Sequence, residues 1–377
     1  MPSRRSAPMS IDIASKTPAG QRINVPSEAA HCLPVISLFS GCGGLDLGFV
    51  NAGFKPVLAI DANAAACRTY EKNHSVTRVL KRDLSTLPRK YILERLSELS
   101  TAVTPVGVIG GPPCQAFSQG NGRKRDDDPR ALLSKNYAAI LRELNTAFEL
   151  DFFVFENVLG LKQSRHDEQF KLIKRLFSSA GFRIFESELN AHDFGVAQIR
   201  RRLFVVGLNK RKFPHLTFTF PVKNGGSKPN VRDLIEKLPK PLFFKRGTSA
   251  ADIPFHPNHW CMAPKSDRFF DGSLKEGDLK GRPFRVLRWD APSWTVAYGN
   301  REVHIHPSAT RRLSVYEAML LQGFPQIYEL CGTLSDQIRL ISDAVPPPMA
   351  EALANAIVRV LGYERDTCAN PIRSTRT

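Results

Sequence analysis

The sequence predicts an α/β fold, a mixed sheet with helices on both faces, together with a smaller, irregular β-rich domain. Apolar runs of strand length alternate with longer segments of helix length from residue 35 to about residue 208. Glycines or acids follow several of these runs directly, as is typical of the carboxyl ends of strands in open sheets. Beyond residue 208, prolines and glycines break the chain into short pieces, which predicts the second domain.

Composition narrows the class of function. The 377 residues carry a net charge of +17 and give a pI near 9.8, which indicates a polyanionic partner, nucleic acid before membrane. Seven dispersed cysteines without a C-x-x-C pair predict reduced thiols in a cytoplasmic protein. No apolar run approaches the roughly 20 residues that span a bilayer. The predicted organisation is a flexible basic tail (1–33), an α/β domain (34–208 and 313–362), a basic domain (209–312) and a flexible tail (363–377).

The first predicted strand, Val35–Phe39, is followed by a glycine-rich turn that leads into a helix. Gly41 and Gly43 let the backbone approach a ligand closely, and a helix N-terminus can receive polar or anionic groups. The turn is not the dinucleotide fingerprint, because Asp46 stands where that motif needs a glycine. By itself it is either a ligand-binding loop or a plain tight turn.

Acidic residues follow the next two predicted strands. Asp61 ends the strand Pro56–Ile60, and Asp83 comes shortly after Val79–Leu80. An acid about 20 residues after the glycines is typical of a site that grips a ribose hydroxyl pair. Each acid alone is more often a helix cap or a solvated turn. The three strand ends together predict a nucleoside pocket.

The turn Gly110–Gln115 places a cysteine after the predicted strand Val106–Ile109. Two glycines and two prolines turn the chain stiffly, so the thiol of Cys114 is well placed as a nucleophile. A small buried cysteine behind a tight turn is the alternative. The charged segment Gln115–Arg130 is too long for an ordinary connector, which predicts a lid or an exposed loop.

Three further charged side chains are predicted near this edge of the sheet. Glu156 follows the strand Phe152–Phe155. Arg200 and Arg202 alternate in an extended segment, which would point both guanidinium groups to one face; a solvated basic edge is the alternative. The other predicted strands are Phe182–Leu189 and Leu203–Leu208. The predicted helices are Ala62–Asn73, Tyr91–Ser100, Tyr137–Glu149, Gln169–Ala180, one within Arg312–Pro325 that has Ser314 as N-cap and a Gly-Phe-Pro stop, and Met349–Leu361.

The predicted second domain is strongly basic and aromatic. Leu208–Arg312 holds 20 Lys and Arg against 9 Asp and Glu, all three tryptophans and five of the nine histidines. Such a surface suits contacts to DNA phosphates and base edges. The cluster of His256, His259 and Cys261 lacks a fourth ligand at suitable spacing, so no metal is expected.

Six blocks of the sequence resemble, in order, the motifs of the DNA (cytosine-5)-methyltransferases of the stand-alone prokaryotic kind. The blocks are SLFSGCGGLDLGF, GGPPCQAFSQGNGR, FENVLGL, GVAQIRRRLFVVG, RRLSVYEAMLLQGFP and AVPPPMAEALANAI. They extend from about Val35 to Leu361. The resemblance implies a Rossmann-like methyltransferase fold, S-adenosyl-L-methionine (AdoMet) as methyl donor, no metal, and a target-recognition role for residues 209–312.

The resemblance also implies a cofactor site over the glycine-rich turn, with Asp61 on the ribose hydroxyls and Asp83 on the adenine amine. The implied cofactor contacts are Phe39, Gly41, Cys42, Gly43, Asp61, Asp83, Pro113 and Asp343. At one point the chain departs from the family, which usually has Gly-Asn where this chain has Ser342-Asp343. The added negative charge is either harmless, attractive to the cofactor, or unfavourable for its carboxylate.

The implied catalytic residues are Cys114, Glu156, Arg200 and Arg202. The Cys114 thiolate would add to C6 of cytosine and make C5 enamine-like, while Glu156 holds N3 and the exocyclic amine. The arginines would support the base carbonyl, the flanking phosphate and the thiolate, since a nearby cation lowers the pKa of a thiol. Because this chemistry cannot proceed in a stacked duplex, the cytosine would flip out.

The implied partner is double-stranded DNA, and the implied enzyme is monomeric, cytoplasmic and nucleoid-associated, with no membrane contact. A separately encoded restriction endonuclease would complete a restriction-modification system. Three other functions fit the sequence less well. A tRNA methyltransferase of this fold carries a Cys-Phe-Thr tripeptide that this chain lacks, a non-catalytic regulator would not need Cys114 and Glu156, and a nicotinamide oxidoreductase would need a different glycine spacing.

Overall fold

The computed structural model describes residues 33–87, 90–99, 103–113, 129–223, 225–226, 228–279, 284–295 and 304–363. Cys114 lies outside these ranges, as do residues 115–128 of the predicted lid and almost all of both predicted tails. Pro129 and Arg130, which were assigned to the lid, belong instead to a helix. Leu33, assigned to the first tail, begins the first strand.

A seven-stranded mixed sheet forms the centre of the fold, as predicted. The strands in chain order are β1 (Leu33–Leu38), β2 (Phe54–Asp61), β3 (Arg78–Lys81), β4 (Gly107–Gly110), β5 (Phe152–Asn157), β6 (Phe182–Asn190), the two-residue β7 (Gln198–Ile199) and β8 (Arg201–Asn209). The spatial order is β3-β2-β1-β4-β5-β8-β6, and β7 lies outside this sheet. β8 is antiparallel to both of its neighbours and the other pairs are parallel, so β1, β2, β4 and β5 end at one edge.

Helices cover both faces of the sheet. They are α1 (Gly44–Asn51), α2 (Ala64–Asn73), α3 (Tyr91–Ser97), α4 (Pro129–Phe148), α5 (Asp167–Ser179), α6 (Val231–Ile235), α7 (Val315–Leu321), α8 (Leu334–Asp343) and α9 (Pro347–Leu361). Successive β1 residues point to opposite faces. Val35 packs in the apolar cluster of α1 and α9, whereas Ile36 packs in the cluster of α4 and α5.

α4 begins at Pro129 rather than at the predicted Tyr137. α7 has Ser314 as its N-cap, as predicted, and forms a capping box with Glu317. The helix ends just before the predicted Gly-Phe-Pro stop, where Gly323 takes a φ of 82° that ends a helix readily. α8 was not predicted at all, and it carries Ser342 and Asp343 at its end.

Short elements make up the described part of residues 209–312. The strands β9 (Leu242–Phe243) and β10 (Trp260–Cys261) pair with each other, and β11 (Ser293–Trp294) pairs with β7. The indole Nε1 of Trp260 donates a hydrogen bond of 2.7 Å to Gln337 on α8. This region is therefore joined to the helices that follow it. Within the described ranges, no helix is long and apolar enough to cross a membrane.

Candidate active site

A cleft of about 200 Å³ opens at the edge where β1, β2, β4 and β5 end. It brings together eight of the predicted site residues: Phe39, Gly41, Cys42, Asp61, Pro113, Glu156, Arg202 and Asp343. Gly43, Asp83 and Arg200 do not line it. Asp83 is exposed beyond β3, where its carboxylate accepts a hydrogen bond from the backbone N–H of Ser85. The edge thus gathers most of the site that the strand ends predicted.

The loop between β1 and α1 forms one wall of the cleft. Phe39, Gly41 and Gly43 take left-handed φ angles of 54°, 55° and 84°. A side chain at Gly43 would come within 2.6 Å of His74 Nε2, so packing as well as φ requires glycine there. The backbone N–H of Gly41 donates a 2.9 Å hydrogen bond to Asp61 Oδ2. The next strand end therefore holds the loop in place.

Asp61 serves as both anchor and acceptor. Its Oδ1 accepts a 2.8 Å hydrogen bond from the N–H of Asn63, the N-cap of α2. Burial raises the pKa of Asp61, while the backbone N–H groups of Asn63 and Gly41 oppose that shift. Each carboxylate oxygen has two lone-pair sites and uses one of them here. Asp61 can therefore still accept hydrogen bonds from a pair of hydroxyl groups in the cleft.

Glu156 and Arg202 meet on the opposite wall. Arg202 Nε lies 3.1 Å from Glu156 Oε1, and their side chains are only 12% and 10% exposed. Burial raises the pKa of Glu156, and the cations Arg202 and Arg200 oppose that shift. A side chain at Gly111 would come within 2.6 Å of Glu156 Oε2. The carboxyl group therefore rests against the turn that leads to Cys114.

Arg200 lies deeper than the cleft. Its residue is fully buried and its guanidinium donates to the backbone carbonyl of Ser342, whereas the intervening Arg201 is exposed. The predicted alternation of Arg200 and Arg202 toward one face is thus present. The alternative of a solvated basic edge is wrong. Arg200 also ties the β7–β8 segment to the end of α8, which carries Ser342 and Asp343.

Several cleft residues were missed by the sequence analysis. Ser37, Ser40 and Asp46 line the cleft on the β1–α1 side, and Arg339 lines it from α8. Arg339 Nε lies 3.8 Å from Asp343 Oδ2, one helical turn away. The first three lie within or beside the glycine-rich block, in which the glycines were the residues predicted to contact a ligand. Arg339 was missed because its helix was not predicted.

In the histidine and cysteine cluster near residue 256, the structure shows what His259 contacts. His259 uses both ring nitrogens, with Nε2 2.8 Å from the Pro239 carbonyl and Nδ1 3.0 Å from Ser314 Oγ. Across the described ranges, no group of three or more His, Cys, Asp and Glu side chains could hold a metal ion.

Known proteins resemble this chain in both sequence and fold. The family model described as C-5 cytosine-specific DNA methylase matches residues 33–359. The chain is 32% identical over 354 residues to the Type II methyltransferase M.FnuDI of Fusobacterium nucleatum, a match that covers 87% of this chain and 95% of that protein. Its identity to M.MthTI of Methanothermobacter thermautotrophicus is 33% over 353 residues, with 87% and 98% covered.

Solved structures agree with the predicted fold. A prophage-encoded E. coli protein assigned as a DNA modification methyltransferase matches with a TM-score of 0.71 at 24% identity, over 88% of this chain and 99% of that one. The Dnmt2 methyltransferase of S. pombe matches with a TM-score of 0.56 at 19% identity, over 88% and 99% of the two chains. The resemblance found in the six sequence blocks is confirmed: this chain belongs to the C-5 cytosine-specific DNA methylases and is a DNA (cytosine-5-)-methyltransferase.

Proposed function

We propose that this enzyme methylates C5 of a cytosine flipped out of a specific duplex DNA sequence, through a covalent adduct between Cys114 and C6. We further propose that it is the modification enzyme of a restriction-modification system. The observation that carries the first proposal is the buried Glu156–Arg202 pair beside the turn that leads to Cys114. The second is supported by the relatives, which are named as Type II methyltransferases.

The family implies AdoMet as methyl donor, and the cleft residues fit it. Asp61 keeps free acceptor positions for ribose hydroxyls, and the left-handed turn at Phe39 and Gly41 exposes backbone to the cleft. Cys42, Pro113 and Asp343 would complete the contacts. When bound, AdoMet supplies an electrophilic methyl group. The adenine contact of Asp83 and the contact of Gly43 stay predictions, because neither residue lines the cleft.

The chain's own residues act on the base. Addition of the Cys114 thiolate forms the S–C6 bond and moves the C5–C6 π electrons toward C5, which is otherwise too weak a nucleophile. Burial raises the pKa of Glu156 and favours its protonated form, which can donate to N3 as charge develops there. Arg202 holds that carboxyl in place. Once C5 carries the methyl group, transfer of the C5 proton to a base re-forms the C5–C6 double bond and releases the Cys114 thiolate.

DNA recognition falls to residues 209–312 in this proposal. That segment carries the largest share of the positive charge, which suits phosphate contacts. Its β11 pairs with β7, next to Arg200, so part of the segment lies beside the strand that leads to Arg200 and Arg202. One chain would then carry both the active site and the recognition region, and a monomer would suffice.

Labelled AdoMet tests the proposal. The protein is incubated with labelled AdoMet and with either duplex DNA or tRNA, and wild type is compared with Cys114→Ser. Label should enter duplex DNA only and should be lost in the variant. DNA with 5-fluorocytosine at the target should give an adduct that survives denaturation, because the C5 fluorine cannot leave as a proton does. Label in tRNA alone, or full activity of Cys114→Ser, would contradict the assignment.

A further inference from the structure

A polar recess, formed by Ser37, Ser40 and Asp46, lies in the wall of the cleft. Asp46 belongs to the first turn of α1 and is fully buried, and its Oδ1 accepts a 2.8 Å hydrogen bond from the Tyr70 hydroxyl. Within the described ranges, Asp46 Oδ2 and the Oγ atoms of Ser37 and Ser40 have no hydrogen-bond partner. All three side chains line the cleft. The recess therefore offers three acceptor oxygens to whatever enters it.

Unpaired buried acceptors are unfavourable in a folded protein unless something else satisfies them. The Ser37 hydroxyl stands beside the Asp46 carboxylate, near enough to lower its pKa but outside hydrogen-bonding geometry. In the part of the chain that the structure describes, no Lys, Arg or His neutralises Asp46. A buried negative charge of this kind calls for a positively charged ligand rather than a neutral one.

We propose that the recess receives the primary ammonium group of AdoMet, with Asp46 as its anionic partner and Ser37 and Ser40 as neutral acceptors. An ammonium group has three N–H donors and no acceptor, which matches three oxygens. Hydrogen bonds between charged groups are also roughly twice as strong as neutral ones. The inference rests on the proposed use of AdoMet and assigns Asp46 as a residue that discriminates the amino-acid end of the methyl donor.

The recess should also make cofactor binding depend on pH. Burial raises the pKa of Asp46 to about 6, opposed by the hydroxyls of Ser37 on β1 and Tyr70 on α2. Tyr328 is the other titratable group that faces Asp46. A bound ammonium favours the charged carboxylate, so binding should release a proton near pH 6 and weaken as the pH falls below that value.

Calorimetric titration with S-adenosyl-L-homocysteine, which has the ammonium group, and with its analogue that carries hydrogen in place of that group separates this role from general support of the loop. Asp46→Asn should weaken binding of the first ligand roughly 10- to 100-fold, as expected for a charge-assisted hydrogen bond. It should leave binding of the analogue unchanged. Glu168→Gln, an exposed acid-to-amide change on α5, is the matched control and should alter neither.

Proton release is the second measurement, made near pH 6 in two buffers of different ionisation enthalpy. Wild type should release part of a proton on binding S-adenosyl-L-homocysteine, and Asp46→Asn should release less; Asp61 and Glu156 stay present in both proteins. Should Asp46→Asn not fold, Ser37→Ala carries the test, with a smaller loss confined to the ligand that has the ammonium group. Equal losses for both ligands, or no loss, would overturn the inference. Failure of wild type to bind S-adenosyl-L-homocysteine would instead contradict the proposed methyl donor.

Discussion

Arg202 Nε lies 3.1 Å from Glu156 Oε1 in a place nearly closed to solvent, and β8 and β5, which carry the two residues, are adjacent strands. Burial raises the pKa of Glu156 and the guanidinium of Arg202 opposes that shift, so the two side chains influence each other directly. The pairing of the two strands thus fixes the position of the carboxyl that would hold the base.

Arg202→Gln should lower kcat for DNA methylation by about 100-fold, because one preorganised charged donor is lost. The KM for AdoMet should change little, since Arg202 contacts Glu156 rather than the glycine-rich loop. Steady-state methyl transfer measures both. The neighbouring Arg201, whose side chain is 61% exposed, supplies the control, and Arg201→Gln should keep near-wild-type kcat. Equal losses in the two variants would argue against a specific role of the pair.

Gly111→Ala should reduce activity by about 10- to 100-fold, because small misplacements of catalytic groups are costly. The new Cβ would lie 2.6 Å from Glu156 Oε2 and would push the carboxyl away from its position. Gly225→Ala, where nothing lies within 4 Å of the added carbon, should be neutral. Methyl transfer and thermal unfolding are compared for both variants. A fully active Gly111→Ala would show that the contact at Glu156 yields freely.

Arg311→Met should destabilise the protein by about 3–5 kcal/mol, the usual cost of breaking a buried ion pair. Arg311 donates two hydrogen bonds, of 2.8 and 2.7 Å, to the fully buried carboxylate of Glu317. Urea unfolding measures the free energy. The exposed pair of Lys171 and Glu168 provides the comparison, and Lys171→Met should cost far less, because exposed ion pairs contribute little to stability. Similar losses of unfolding free energy in the two variants would show that the buried Arg311–Glu317 pair contributes no more to stability than an exposed pair.

Stability should fall as the pH is lowered from about 6.5 toward 5. Burial lowers the pKa of His74, His256, His304 and His306 to about 4. Between pH 6.5 and 5 the unfolded chain therefore binds protons at these histidines that the folded chain does not bind. This lowers the free energy of unfolding by up to about 1.4 kcal/mol per pH unit for each histidine. Asp46, with its pKa raised to about 6, acts in the opposite direction, as do Asp61 and Glu156, whose pKa values burial also raises.

Urea unfolding at pH 7.5, 6.5 and 5.5 checks this expectation. His304→Gln should reduce the pH slope by up to one proton. Unfolding free energies that do not vary over this range would contradict neutral buried histidines.

Most of the fold could be predicted because its strands are continuous apolar runs buried on both faces, such as Phe152–Phe155. Because parallel strands end at the same edge of a sheet, the sequence also predicted that Asp61 and Glu156 lie near each other, and both line the cleft. α8 was missed although Thr333 and Asp336 form a capping box at its start. Ser342 and Asp343, where the sequence departs from the family pattern, are the last two residues of this ten-residue helix.

The finer parts of the site depend on packing that no local pattern reports. The depth of Arg200 follows from the carbonyl of Ser342, 142 residues further along the chain. The unpaired oxygen of Asp46 emerges only when Tyr70 takes the other one. The spacing of the glycines shows that Asp46 stands where the dinucleotide fingerprint needs a glycine. It does not show in which direction the Asp46 carboxylate points.

Two of the segments that line the cleft lie far apart in the sequence. The loop after β1 forms one side, and residues 339–345 close it, with the carbonyl oxygen of Val345 only 2.3 Å from where a Cβ of Gly44 would be. During ribosomal synthesis, the loop after β1 is made long before residues 339–345. A nascent chain can therefore form its strands early, but its cofactor site stays incomplete until Val345 has been synthesised. Fragments released before that point should be unable to methylate DNA, however much of the sheet they contain.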